Sequence, residues 1–253
     1  MHDAAFQEYV KIVERLRKEC PWDREQTPAS LRPSLLEEAY ETVEAINHED
    51  WNELKKELGD LLLHVVLQSV IAEESSRFSL QQVIADSSEK LIRRHPHVFG
   101  DAKVDNAAHV KANWEKLKMK EGRRSVLDGV PKELPSLLRA YRLQEKASKV
   151  GFDWKDRADV WKKVDEEIRE LNEAVRNGDE GKVEEELGDL LFAITNYGRF
   201  LPSNPELALQ RANEKFIKRF QFIERELQKE EKLPEHVSME ELDALWNKSK
   251  SAS

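Results

Sequence analysis

Apolar positions recur along this chain at the three- and four-residue spacing of amphipathic helices, and no stretch shows the sustained alternation of a half-buried strand. Phe6, Val10, Val13 and Leu16 open a first helix, which Cys20-Pro21 stops. Pro28 and Pro33 flank a short connection, and Pro33 suits the first turn of the next helix, where its missing N–H costs nothing. That helix is predicted from Ser34 to Asn47. Asp50 then caps a helix to about Glu74, and Ser79 caps one to about Arg94, with Pro96 beyond it. Another is predicted over Asn106 to Lys120. After a break, helices are expected at about Pro135–Lys149, Asp159–Asn177, Asp179–Phe200, Pro205–Lys229 and Ser238–Lys250, with Asn177-Gly178 as a helix stop before the Asp179 cap. The reading is an all-α protein. The break, Glu121–Ser136, holds glycines, prolines and adjacent arginines and reads as a linker.

The pattern also repeats. Glu57-Leu58-Gly59-Asp60-Leu61-Leu62 recurs as Glu186-Leu187-Gly188-Asp189-Leu190-Leu191, and Glu37-Glu38-Ala39-Tyr40-Glu41 pairs with Glu166-Glu167-Ile168-Arg169-Glu170 at the same offset of 129 residues. Downstream, Lys90, Arg93 and Arg94 answer to Lys215, Lys218 and Arg219, and Trp114 with Lys116 and Lys118 to Trp246 with Lys248 and Lys250. The chain therefore reads as a tandem duplication of one helical module: residues 1–120, a linker at 121–136, and residues 137–253. The helix pair of each module needs a partner for its apolar face, supplied by the other copy or by a second chain.

What both copies retain as specific charges points to chemistry. Each carries ExxE, fifteen intervening residues, then ExxD: Glu38, Glu41, Glu57 and Asp60, then Glu167, Glu170, Glu186 and Asp189. Residues three apart share a helix face. Two such pairs on antiparallel helices put four carboxylates in one space, where like charges repel unless a hard divalent cation joins them. Oxygen-only ligands suit Mg2+, with Mn2+ as a substitute. An acidic residue occupies about a fifth of all positions, so a lone pair would be an ordinary solvated face; identical spacing in both copies beside apolar residues argues against that. Gly59 and Gly188, costly in mid-helix, suggest close helix approach or ligand clearance. The cations Lys90, Arg93 and Arg94, like Lys215, Lys218 and Arg219, could hold phosphates or simply balance charge. Trp246 could stack on a base or belong to a core.

Composition narrows the partners. A net charge of −9 disfavours duplex nucleic acid but leaves room for a small polyphosphate. The longest apolar stretch, Leu61–Leu67, contains His64 and is too short for a membrane span, and the N-terminus reads as an amphipathic helix rather than a signal peptide, so the cytoplasm is the expected location. Cys20 is the only cysteine, which excludes an intramolecular disulfide and a cysteine-rich zinc site.

The ExxE–ExxD signature, the ELGDLL runs, Cys20-Pro21-Trp22-Asp23, the stretch Arg93–Phe99 and Gly151-Phe152-Asp153-Trp154 resemble the MazG nucleoside triphosphate pyrophosphohydrolases over nearly the whole chain. The resemblance implies an all-α homodimer with four-helix-bundle-like packing, and Mg2+-dependent hydrolysis of many ribo- and deoxyribonucleoside triphosphates to monophosphate and pyrophosphate. Carried over by position, it implies metal ligands at Glu167, Glu170, Glu186 and Asp189, and nucleotide contacts at Lys215, Lys218, Arg219 and Trp246. The first copy matches equally, with Glu38, Glu41, Glu57 and Asp60 as ligands and Lys90, Arg93, Arg94 and Lys118 as contacts. Residue chemistry suggests metal-activated water attacking the α-phosphorus, with Glu166 or Glu37 orienting that water or taking its proton. No GxxxxGK[ST] loop is present. The alternatives are a pyrophosphohydrolase narrowed to one modified or deoxy nucleotide, and a non-enzymatic helical module docking a basic partner.

Overall fold

A computed structural model describes residues 2–104, 106, 110 and 124–251. Among the described residues there are eleven α-helices, one 3-10 turn and no strand. The chain divides into two compact units, Met1–Asp105 and Asn106–Ser253. Apart from Asn106 and Val110, the predicted helix at Asn106–Lys120, with Trp114 and Lys118, lies outside the described residues.

In the first unit, α1 (His2–Glu19), α3 (Arg32–Asn47) and α5 (Leu80–Arg94) all pack on α4 (Trp51–Glu74). The core joins Val13 of α1 to Leu31 and to Val66, Leu67 and Ile71 of α4, with Phe6, Tyr9, Val10, Leu63, Val70 and Leu80 around it. The stop at Cys20-Pro21 is followed at once by a short helix, α2 (Pro21–Glu25), and Pro96 opens another, α6 (Pro96–Phe99); both lie where the sequence reading placed connections. Proline at the first helical position serves these as it serves α3, whose Pro33 sits in the first turn. The α1–α2 corner is pinned by Arg17, whose guanidinium donates to Glu74 and to the carbonyls of Asp23 and Gln26. The caps are chemical. Asp50 accepts from the Asn52 and Glu53 amides, and Ser79 and Gln82 form a reciprocal capping box.

The second unit contains α7 (Ser136–Ser148), α8 (Arg157–Asn177), α9 (Glu180–Gly198), α10 (Pro205–Lys229), a 3-10 turn (Pro234–His236) and α11 (Met239–Ser249). Here α9 packs on α8 and α7, and α10 on α7 and α11. The α8–α9 pair repeats α3–α4, down to the turn. Gly178 ends α8 in the left-handed conformation at φ 71°, and Glu49 holds the equivalent place after α3 at φ 55°. Asp156 caps α8 by accepting from the amides of Ala158 and Asp159. Gln144 of α7 donates to the Phe192 carbonyl (2.8 Å), and Arg199 donates to the Gln144 carbonyl (3.0 Å) and pairs with Asp153. The buried Lys146 donates to the carbonyls of Val126 (3.1 Å) and Asp128 (2.9 Å), which ties part of the 121–136 segment to α7.

One glycine requires its missing side chain. A Cβ on Gly198, at the end of α9, would fall on the Pro205 ring that opens α10. We predict that Gly198→Ala lowers unfolding stability by about 1–3 kcal/mol, the usual cost of overpacking a tight contact. Chemical denaturation checks it, and an unchanged midpoint would contradict the packing of this corner.

Candidate metal centre

The two carboxylate clusters arise from simple helix geometry. On α3, Glu38 and Glu41 are one turn apart, as are Glu57 and Asp60 on α4. The tight turn at residues 48–50 runs the helices antiparallel, so Glu38 faces Asp60 and Glu41 faces Glu57. The strongest neighbouring charge felt by Glu38 is accordingly Asp60, and by Glu57 it is Glu41. Carboxylate oxygens of Glu38, Glu57 and Asp60 lie within 4.8 Å of one another. In the second unit the same is true of Glu167, Glu186 and Asp189, with Glu170 joining Glu166 and Glu167.

Burial makes these groups costly. Glu57, Glu167 and Glu186 are 7%, 4% and 6% exposed. Burial first, and neighbouring carboxylates second, push Glu38, Glu57 and Glu186 above the usual carboxylate range. An all-oxygen donor set, buried on one side and crowded with like charge, is the environment a hard divalent cation relieves. The residues therefore fit a magnesium-type ion.

The clusters differ in their cations. Lys163 Nζ lies 2.7 Å from both Glu166 and Glu167, and Lys182 Nζ lies 3.9 Å from Glu186. Lys163 holds Glu166 below the usual range and is itself held more firmly protonated by the same contacts. The equivalent positions of the first copy, 129 residues earlier, are Ser34 and Glu53. Ser34 Oγ is 3.1 Å from Nε2 of the buried His64, which stands where the second copy has Ala193. Comparing only what the copies share passes over these residues. Spacing does reveal Lys163 and Lys182, each four residues before a cluster glutamate on the same helix face.

Glu166 adjoins its cluster in an ion pair, whereas Glu37 is exposed. Lys90, Lys215 and Lys218 are exposed and make no ion pair among the described residues. Arg93 pairs with Glu89 at 3.2 Å, and Arg94 is half-buried near the end of α5. Arg219 lies 5.5 Å over the Trp246 ring with its Nε buried and lacking a hydrogen-bond partner. Trp246 also contacts Phe216, so at least one face of its indole belongs to the α10–α11 contact. Close helix approach does not account for Gly59 and Gly188: a Cβ at either would meet nothing within 4 Å, which leaves open space beside each cluster.

Comparison with known proteins finds one domain family in both halves of the chain. The MazG nucleotide pyrophosphohydrolase domain matches residues 26–99 and 157–223, and each match contains one helix pair with its cluster. A nucleoside triphosphate pyrophosphohydrolase/pyrophosphatase MazG of Thermotoga maritima is 45% identical over 250 residues, covering 97% of this chain and 95% of that protein. A nucleoside triphosphate pyrophosphohydrolase of Escherichia coli K12 is 44% identical, covering 95% of each. The crystal structure of a mazG-related protein from Thermotoga maritima aligns to 45% of this chain and 98% of its own, at 26% identity and a TM-score of 0.41. With two copies of the domain and near-full-length relatives at this identity, the chain belongs to the MazG nucleotide pyrophosphohydrolase family.

Proposed function

We propose that this chain is a divalent-cation-dependent nucleoside triphosphate pyrophosphohydrolase of the cytoplasm, acting as a homodimer on ribo- and deoxyribonucleoside triphosphates and releasing monophosphate and pyrophosphate. The observation that carries this is the convergence of Glu167, Glu186 and Asp189 oxygens within 4.8 Å, with two of the three side chains buried. Near-full-length relatives named for the same activity support it.

Glu167, Glu170, Glu186 and Asp189 would hold the cation, Mg2+ or Mn2+, and in the first copy Glu38, Glu41, Glu57 and Asp60. Bound there, the cation supplies Lewis-acid polarisation of phosphate oxygens and makes water more acidic. The protein does the rest. Lys163 and Lys182 place ammonium groups at the rim, where phosphate oxygens can replace the carboxylates as their partners. Loss of Lys163 to a phosphate would free Glu166, which in its ion pair is a poor proton acceptor, to orient the water or take its proton. Lys215, Lys218 and Arg219, with Trp246, would bind the distal phosphates and base; in the first copy Lys90, Arg93 and Arg94 are the counterparts of the three cations, and Lys118, the counterpart of Lys250, would join them. Among the described residues no helix is long and apolar enough to cross a membrane.

The dimer is supported by an uncovered stripe that both copies share. Leu58, Leu62 and Val65 of α4 are exposed at helical spacing, as are Leu187, Leu191 and Ile194 of α9 at the same offset of 129. A protein in water covers such stripes when it can.

Pyrophosphate release should be detectable with magnesium across a panel of nucleoside triphosphates. Glu167→Gln and Glu186→Gln should each cut it by about two orders of magnitude or more while leaving the helical circular dichroism intact. A marked preference for one nucleotide would instead favour a narrow enzyme, and full activity in both variants would leave the non-enzymatic module.

The raised carboxyls also predict a pH dependence. They bind protons more tightly folded than unfolded, so stability without divalent cation falls as pH rises from the ordinary carboxylate range through their raised values. Glu166 has the opposite shift; its contribution is complete above the usual range and does not cancel this trend. A divalent cation offsets the repulsion of the ionised form. The gain in melting temperature on adding magnesium should therefore be larger near about pH 8 than about pH 5. An equal gain at both would contradict it.

Light scattering should report a dimer. Replacing Leu187 and Leu191 together by glutamate should shift it to monomer if the α9 stripe lies in the interface, because buried unpaired charge is not tolerated there. A wild-type monomer would overturn the dimer.

A further inference from the structure

The duplicated cluster is not duplicated in its charge. Around the second cluster stand two ammonium groups. Lys163 bridges Glu166 and Glu167 at 2.7 Å, and Lys182 approaches Glu186 at 3.9 Å. Around the first, the same helical positions carry Ser34 and Glu53. Glu53 is paired with Lys56 at 2.6 Å in an exposed pair whose two charges both bear on the buried Glu57, Glu53 by repulsion and Lys56 by attraction. On the second copy Glu186 feels the attraction of Lys182 and the repulsion of Glu185, the same two charges in exchanged positions, so the difference that remains between the clusters is Lys163 against Ser34. His64 stands beside the first cluster, close enough for its charge to bear on Glu38, with Nδ1 buried and lacking a hydrogen-bond partner. An imidazole nitrogen is a metal donor as well as a base, and Ala193 provides neither.

A tethered ammonium and a divalent cation compete for the same carboxylate oxygens. In the second copy the incoming cation must displace Lys163 from Glu167 or share that carboxylate with it. A polyphosphate removes this conflict, because its oxygens give Lys163 and Lys182 new partners while adding ligands for the cation. In the first copy, among the described residues, no lysine or arginine lies within ion-pair distance of Glu38, Glu57 or Asp60, and Lys56 pairs with Glu53 instead.

We propose that the two clusters load cation by different rules: the first binds a divalent cation by itself, and the second takes one up together with a polyphosphate. This rests on the reading of both clusters as cation sites and extends it. It makes the first copy a site held in the metal-bound state between turnovers, and the second a site assembled by its own substrate.

The test is manganese binding to the full chain, followed by the electron paramagnetic resonance signal of free Mn2+, with no nucleotide present. The wild type should show a tight class of sites. Glu57→Gln should weaken that class by about tenfold or more, as loss of a buried charged ligand predicts, and Glu186→Gln should leave it unchanged. Glu38→Gln serves in place of Glu57→Gln if circular dichroism shows the latter unfolded. Adding a triphosphate with a methylene group between the α- and β-phosphorus should create a second class, absent in Glu186→Gln. Lys163→Met should make that second class appear without nucleotide. Loss of the tight class in Glu186→Gln, equal weakening in both glutamine variants, no tight class in the wild type, or no new class in Lys163→Met would each overturn the proposal. Pyrophosphate release by the wild type, measured in parallel, separates this outcome from failure of the hydrolase reading, since manganese binding is scored without turnover.

Discussion

The repulsion among four carboxylates on two antiparallel helices is the constraint around which each unit is organised. A helix pair could avoid it by turning the acidic residues to solvent. Here the fold does the reverse for Glu57, Glu167 and Glu186, which are buried although each faces another acid across the pair. Burial of like charge destabilises the cation-free protein, and the surrounding packing must offset that cost. In the first unit the α1–α4 core and the Arg17 network anchor the pair away from its acidic end. In the second the α7–α9 contacts through Gln144 and Arg199 do so.

Seen this way, the helix caps and turns serve the site as much as the fold. The Asp50 and Asp179 caps start α4 and α9 at the same phase relative to α3 and α8. A start one residue earlier or later would rotate Glu57 or Glu186 by about 100° away from its partners. The left-handed residue before each cap fixes the same register, with glycine in the second copy and Glu49 bearing the strain in the first. Open space beside Gly59 and Gly188 then leaves the clusters approachable on that side.

Much of this was legible in the sequence. The caps at Asp50, Ser79 and Asp179 and the proline starts at Pro33 and Pro205 are local signals, and local hydrogen bonding decided them; Ser238, read as the first helical residue, is itself the cap of α11. The carboxylate clusters were legible in part: helical spacing and the 129-residue repeat bring three of the four expected positions together in each copy, whereas Glu41 stays outside its group and Glu170 joins Glu166 and Glu167 instead. The short helices at Pro21–Glu25 and Pro96–Phe99 were not, since a proline after a helix reads as a stop and only the Cys20 and His95 backbones show that it also starts one. The cations at Lys163 and Lys182 were missed for a different reason. They are where the copies differ, and a repeat is read through what it keeps. The partial engagement of Trp246 with Phe216 and Arg219 depends on tertiary packing and has no signature in the local sequence.

The central claim is that these carboxylates assemble a site where water is directed at the α-phosphorus of a nucleoside triphosphate. Hydrolysis in water enriched with oxygen-18, followed by mass spectrometry of the products, tests it most directly. The account predicts that the heavy oxygen appears in the nucleoside monophosphate and that the pyrophosphate is unlabelled. Label in the pyrophosphate, or release of orthophosphate in its place, would contradict it.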